Sequence, residues 1–171
     1  KRSVDRILTT HIGSLPRTPQ LVAGYQAIET GQPYDKAAHE ARIRSEVART
    51  VRRQVECGLD GVNDGEFGKP SFLTYVNTRL SGFELSTEPS ILPWAKSKEG
   101  AAFPEFYAEA ARLRSSGGPV AGFIHMVCNG PIKWTGRALL DRDIANFRAA
   151  LQGLDAVEPF IPAISPANVE D

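Results

Sequence analysis

The chain is short of several features that assign function quickly. It has two cysteines, Cys57 and Cys128, in 171 residues, too few for a disulfide framework, so a reduced, cytoplasmic protein is expected. No apolar run approaches the ~20 residues of a membrane-spanning helix, and the amino-terminal stretch lacks the shape of a signal peptide. Neither sign of charge is in excess. The 20 Lys and Arg residues are matched by 20 Asp and Glu, which argues against a nucleic-acid partner. Arg42, Arg44, Arg49, Arg52 and Arg53 alternate with Glu40, Glu46 and Glu56, the pattern of a solvated helix face rather than a phosphate track. A Gly-rich dinucleotide fingerprint, a P-loop, a Gly-x-Ser-x-Gly elbow and a His-Glu-x-x-His pair are all missing. Aromatic residues make up only 8%, but 42% hydrophobic and 23% charged residues describe a globular chain with one well-buried core. A single domain over 1–171 is expected. The sequence opens at Lys1 without an initiator Met, which implies residues upstream.

What is present is an alternation of short apolar runs with longer helical patterns. A first strand is expected at Ile7–Ile12, ending in Gly13-Ser14, and a helix around Leu21, Val22, Tyr25 and Ile28, stopped by Gly31. A stronger helix is predicted from an Asp35 N-cap to Cys57. Its stripe of Ile43, Val47, Val51 and Val55 repeats every fourth residue, and Gly58 suits the position after its end. His39 lies on its charged side and reads as solvated. Leu59–Asn63 reads as a second strand, residues 72–80 as a short helix, and residues 81–102, with Pro89 and Pro93, as a loop or hairpin excursion. A helix from Pro104, carrying Phe106, Ala110 and Leu113, ends at Gly117-Gly118-Pro119. Val120–Val127 reads as a strand buried on both faces, a last helix starts near Asp141 with Ile144, Phe147 and Leu151, and Ala156–Ile164 is a further strand. This order predicts an α/β fold of βα units around a mostly parallel sheet. About four strands are half of the eight in a (β/α)8 barrel, which typically takes ~250 residues.

Chemistry in such barrels sits on loops at the carboxyl ends of strands. Three segments fall there: His11-Ile12-Gly13-Ser14, Asn63-Asp64-Gly65-Glu66 and Cys128-Asn129-Gly130-Pro131. A Gly-Ser turn offers N–H groups and a hydroxyl to a carboxylate, and Glu66 offers a carboxylate to an ammonium, so together they can grip an amino acid at both ends. The same residue types are ordinary turn formers. His11 is open to a site role or to that of a hydrogen-bonded structural histidine. His125 and Cys128 are both zinc-ligand types, but residues three apart on a strand point to opposite faces, and Cys128 reads as a small buried residue. Trp134, after the Gly130-Pro131 turn, can stack on a flat heterocycle or stand at a rim with no ligand.

Taken together these segments resemble the catalytic domain of cobalamin-independent methionine synthase and its shorter single-domain relatives, within the wider barrel superfamily that also holds uroporphyrinogen decarboxylase. Thr9-Thr10-His11-Ile12-Gly13-Ser14-Leu15-Pro16-Arg17 resembles the family's first-strand signature. Gln54 to Phe67 resembles the helix and second strand that end in its Gly-Glu turn. Gly130-Pro131-Ile132 is similar to its Gly-Pro-Val-Thr turn, and Pro162-Ala163-Ile164-Ser165-Pro166 to a strand of the shorter relatives. The resemblance implies a (β/α)8 barrel of which this chain is about the first half. It also implies methyl transfer from a methyl-tetrahydrofolate to the thiol of homocysteine, in methionine biosynthesis, assisted by zinc that holds the thiolate. It assigns Ile12, Gly13 and Ser14 to the substrate carboxylate and Glu66 to its ammonium, with His11 and Asp64 beside them and Trp134 toward the pterin. His11 stands where the synthases carry an apolar residue. The family's zinc ligands have no counterpart before Asp171, so no metal site is expected in this chain, which would be inactive alone. Alternatives are alkyl transfer to another small thiol, as in epoxyalkane:coenzyme M transferase relatives, or a non-catalytic half-barrel that binds or assembles. Bare strand edges predict a homo-oligomer or association with a carboxyl-terminal half.

Overall fold

A computed structural model of the chain describes residues 3–72, 74–86, 97–115, 126–156 and 158–165. In chain order its elements are α1 (Pro19–Glu29), α2 (Lys36–Glu56), β1 (Gly61–Asn63), a 3-10 turn (Thr74–Thr78), β2 (Leu80–Leu85), α3 (Lys98–Ala102), α4 (Pro104–Ser115), β3 (Met126–Trp134), α5 (Arg137–Ala150) and β4 (Glu158–Phe160). They divide into two compact units, Lys1–Tyr75 with Gly136–Asp171, and Val76–Thr135.

The first unit is organised by α2. Asp35 caps it by accepting from the Ala38 N–H at 2.9 Å. At its other end Gly58, at φ 78°, completes a Schellman turn, with Gly58 N–H to Val55 O at 2.9 Å and Leu59 N–H to Gln54 O at 3.1 Å. That turn sends the chain straight into β1. The expected stripe of Ile43, Val47 and Val51 is buried and packs with Leu21 and Tyr25 of α1, Val62 of β1, Phe67 and Phe147 of α5. A second, polar row of α2 is buried beside it: His39, Glu46, Thr50 and Gln54. His39 is therefore not solvated. Its ring meets Tyr25 and Tyr34 edge-on, at centroid distances of 4.7 and 5.8 Å, in a recess kept open by Gly24, whose added Cβ would fall 2.1 Å from the ring. Heptad-like stripes are wider than their apolar members, and a polar residue one turn from a buried valine is carried inward with it.

β1 pairs in parallel with β4, from Gly61 opposite Glu158 to Asn63 opposite Phe160. On its other side, among the described residues, only Thr10 bridges to Gly61, also in parallel. The expected strand over Ile7–Ile12 is thus reduced to one bridge, and Ile7 and Ile12 are exposed. Side chains take the place of ladder bonds. The buried carboxylate of Asp60 accepts from the Thr9 N–H at 2.9 Å and binds both terminal nitrogens of Arg6, while Thr9 O receives the N–H groups of Asp60 and Gly61, each at 3.0 Å. The parallel β1–β4 pair and the packed helices make an α/β arrangement, as expected. α5 starts at Arg137 rather than near Asp141, and the expected strand over Ala156–Ile164 is confined to β4.

In the second unit β2 and β3 pair antiparallel, with Leu80 opposite Trp134 and Leu85 opposite Met126. Two expectations change here. The described end of the Val120–Val127 run is an exposed antiparallel strand rather than a doubly buried one, and Gly130-Pro131 lies inside β3 instead of turning it. Pro131 is accommodated because the ladder shifts register between Ser81 and Phe83. Gly82, at φ 94°, occupies that bulge, and a Cβ on it would lie 2.8 Å from the carbonyl oxygens of Gly130 and Pro131. Cys128, expected to be buried, is exposed. The expected helix over 72–80 is the short 3-10 turn, and that from Pro104 is α4. Residues 87–96 of the 81–102 excursion, Gly117-Gly118-Pro119, residues 120–125 with His125, and Pro166 lie outside the described residues. Among the described residues no helix is long and apolar enough to cross a membrane.

Candidate active site

The loop that follows β1 is held from three directions, and the first hold comes from α2. Gln54, in the last helical turn, turns both ends of its amide to the backbone of Asn63, with a further bond from Nε2 to Thr50 O at 3.3 Å. Its Nε2 donates to Asn63 O at 2.7 Å, and its Oε1 accepts from Asn63 N–H at 3.1 Å. A buried strand end thereby finds partners where no neighbouring strand supplies them. Asn63 is fully buried, and its side chain continues the chain of bonds: Nδ2 donates to His11 O at 2.7 Å, and Oδ1 accepts from Gly65 N–H at 2.8 Å. One residue on, Asp64 accepts from the Glu66 N–H at 3.0 Å.

Two consecutive residues then adopt left-handed backbone. Gly65, at φ 66°, must be glycine, since a Cβ would lie 2.7 Å from the Phe67 ring. Glu66, at φ 61°, is the one non-glycine residue with positive φ among the described residues. Such a conformation costs roughly 1–2 kcal/mol for a residue with a Cβ, and it persists only where the surroundings impose it. Here they do. The terminal Nη2 of Arg17 donates to Glu66 O at 3.0 Å and Lys69 O at 3.1 Å, Leu15 N–H donates to Gly65 O at 3.2 Å, and Tyr25 Oη donates to Phe67 O at 2.5 Å.

The result is a carboxylate brought to the first loop. The Ser14 hydroxyl, exposed on one side, donates to Oε2 of Glu66, whose residue is 1% exposed. Asp64, equally buried, lies close by, and Lys69 extends beneath with its ammonium on Pro162 O and 4.9 Å from the Tyr75 ring centre. Burial pushes the Asp64 carboxyl above the usual carboxylate range, with the negative charges of Asp143 and Glu66 acting in the same direction. Burial likewise holds the Arg17 guanidinium below its ordinary value. Arg142 ties this floor to α5, donating to Gly68 O and to Asp143, each at 2.8 Å.

The structure thus brings Gly13, Ser14, Asp64 and Glu66 together around one bend. His11 turns back on its own loop, where Nε2 donates to Gly13 O at 2.9 Å, and the Ile12 side chain is 74% exposed. Trp134 belongs to the second unit, exposed at the end of β3. Among the described residues no three His, Cys, Asp or Glu side chains come together as a metal-ligand set, so these residues do not fit a zinc ion. Gln54, Arg17 and Lys69 escaped the sequence reading as parts of this site. Gln54 carried a usable signal, a polar residue in register with a buried stripe. Arg17 and Lys69 carried none, since long cations are mostly solvated.

Comparison with known proteins gives this bend a context. The family described as cobalamin-independent synthase, catalytic domain, matches residues 7–109, more than half of the chain. The chain belongs to that family. The match to the cobalamin-independent synthases takes in the first loop, α2, β1 and the Glu66 bend, and it stops short of Trp134. A 5-methyltetrahydropteroyltriglutamate–homocysteine methyltransferase of Synechococcus sp. is 37% identical over 75 residues, 44% of this chain and 10% of the relative. A protein of the same name from Caulobacter vibrioides is 40% identical over 75 residues, with the same coverage. A third, from Parvibaculum lavamentivorans, is 28% identical over 94 residues, 55% of this chain and 12% of the relative. The matched segment therefore spans about a tenth of the length of these curated relatives.

Proposed function

We propose that the bend formed by Ile12-Gly13-Ser14 and Glu66 grips the amino-acid end of a thiol substrate, and that the protein transfers a methyl group from a methyl-tetrahydrofolate to homocysteine. The observation that carries the reading is Glu66 itself: a buried carboxylate in strained backbone, aimed at the hydroxyl of an exposed loop serine. A residue held at that cost in a loop after a parallel strand is in the position where such folds do chemistry. On binding, the Glu66 carboxylate accepts the substrate ammonium in place of the Ser14 hydroxyl, which turns with the N–H groups of the Gly13-Ser14 turn to the substrate carboxylate. His11, Ile12 and Asp64 border the grip, and Trp134 is proposed for the pterin surface. The family relationship and the names of the relatives support folate as methyl donor and the (β/α)8 barrel as the architecture. Gripping the amino acid needs no metal.

The experiment is Glu66→Gln in the natural protein, with homocysteine affinity measured by calorimetry. Loss of a hydrogen bond to a charged group should weaken binding by about 1.5–3 kcal/mol. Unchanged affinity would refute the role of Glu66 and turn the reading toward a thiol with no amino group, as in alkyl transfer to coenzyme M.

A further inference from the structure

An α-amino acid carries its ammonium and its carboxylate on one carbon, so a site that grips both must keep two protein segments at a set spacing. The Asn63 side chain spans the two segments on the side before Gly13, beside the bonds that Leu15 and Arg17 make to Gly65 O and Glu66 O beyond it. Asn63 donates from Nδ2 to His11 O at 2.7 Å and accepts at Oδ1 from Gly65 N–H at 2.8 Å. The first bond holds the loop that leads to Gly13 and Ser14, and the second holds the turn that presents Glu66. The bridge is itself anchored, because Gln54 binds both the N–H and the carbonyl of Asn63 from the end of α2. Asn63 is fully buried and spends one donor and one acceptor of its amide on these two contacts, so it holds the two segments from within the protein rather than facing a ligand.

We propose that Asn63 is the positioning residue that sets the spacing of the two-point amino-acid grip and with it the selectivity for an α-amino acid thiol. This rests on the reading of Ser14 and Glu66 given above. A thiol bearing a carboxylate but no amino group needs only one end of the site and adapts to a shifted loop. Homocysteine needs both ends at once. Displacing one segment by about 1 Å can cost on the order of 100-fold where reacting or binding groups must register. Loss of the Asn63 bridge therefore penalises homocysteine more than its des-amino analogue. A purely structural role would weaken both alike.

The test measures, by calorimetry on the natural protein, the affinities for homocysteine and for 4-mercaptobutyrate, which lacks the amino group, and takes their ratio. Asn63→Asp keeps the shape and the acceptor for Gly65 but removes the donor to His11. It should lower the ratio at least about tenfold. Combined with Glu66→Gln it should lower the ratio no further than Glu66→Gln alone, since Asn63 acts through the same grip. If Asn63→Asp does not fold, Asn63→Ala, which removes the donor to His11 together with the acceptor for Gly65, is read against the same thresholds. A ratio within threefold of the unaltered protein in the Asn63 variant, while Glu66→Gln lowers it, overturns the positioning role alone. A ratio unmoved by Glu66→Gln overturns the amino-group reading beneath it.

Discussion

Gly65 and Glu66 show how much of the site depends on single residues. The Cβ that alanine would add at Gly65 meets the Phe67 ring at 2.7 Å and Thr50 at 3.0 Å, and the backbone there is left-handed. Relief requires either Phe67 to leave the core or the bend to open, which would carry Glu66 away from Ser14. Gly65→Ala is expected to destabilise the fold by at least the roughly 1–2 kcal/mol of the left-handed penalty, and to weaken homocysteine binding beyond that loss of stability. Denaturant unfolding, paired with ligand titration under conditions where the variant is fully folded, checks both halves. A variant as stable and as tight-binding as the parent would show that the bend is not needed in this form. Glu66 itself was named from sequence as a site residue, but its strain was not legible, because φ is set by what closes around it.

At the scale of elements, α2 is the piece on which the first unit depends, and its buried polar row makes it sensitive to pH. His39 packs between Tyr25 and Tyr34, and its Nε2 is buried without an acceptor. Burial holds its pKa below the ordinary histidine value, and the positive charges of Arg142 and Arg42 add to the effect against Glu40. The folded state therefore binds this proton less readily than the unfolded state. The stabilisation is fully present above the unfolded value of about 6.5 and is lost as pH falls below it toward the lower folded value. Stability by urea titration should fall from pH 7.5 to pH 5.5, and His39→Phe should flatten that fall. An equal pH slope in the variant would move the origin elsewhere. Asp60 follows the same sign from a different cause, since here the charged form is favoured. Its bonds to Arg6 and Thr9 hold its carboxyl well below the usual range, so what it contributes is kept above about pH 4 and is lost in stronger acid.

For the whole molecule, the amino-terminal segment is notable for its exposed apolar residues. Val4, Ile7 and Ile12 are all more than 70% exposed, and the segment joins β1 by one ladder bridge and a few side-chain bonds. Apolar residues gathered along an extended stretch favour pairing with another chain. We propose that this segment is covered in the natural assembly by a second copy of the chain. Sedimentation of the 171-residue chain at micromolar concentration should show species larger than one chain, and Ile7→Lys with Ile12→Lys should shift them toward the monomer. A compact monomer from the unaltered chain would refute the proposal.

The sequence by itself determined whatever depends on local pattern. The span of α2, from the Asp35 cap to the Gly58 turn, follows from four-residue periodicity and two capping residues, and it appears as read. The short segment of Asn63 to Glu66 was legible as a loop bearing carboxylates because turn formers and acidic residues follow an apolar run. Tertiary structure decided the rest. Whether Ile7–Ile12 forms a ladder depends on neighbours distant in sequence, and Asp60 and Arg6 replaced that ladder with side-chain bonds. Whether Gly130-Pro131 turns or runs on depends on the bulge at Gly82 in another strand. His39 became a core residue because Gly24 left it room. Asn63 became a bridge because Gln54 fixes its backbone while His11, from a distant part of the chain, and the nearby Gly65 meet its side-chain amide, and such a meeting leaves no periodic trace in the sequence.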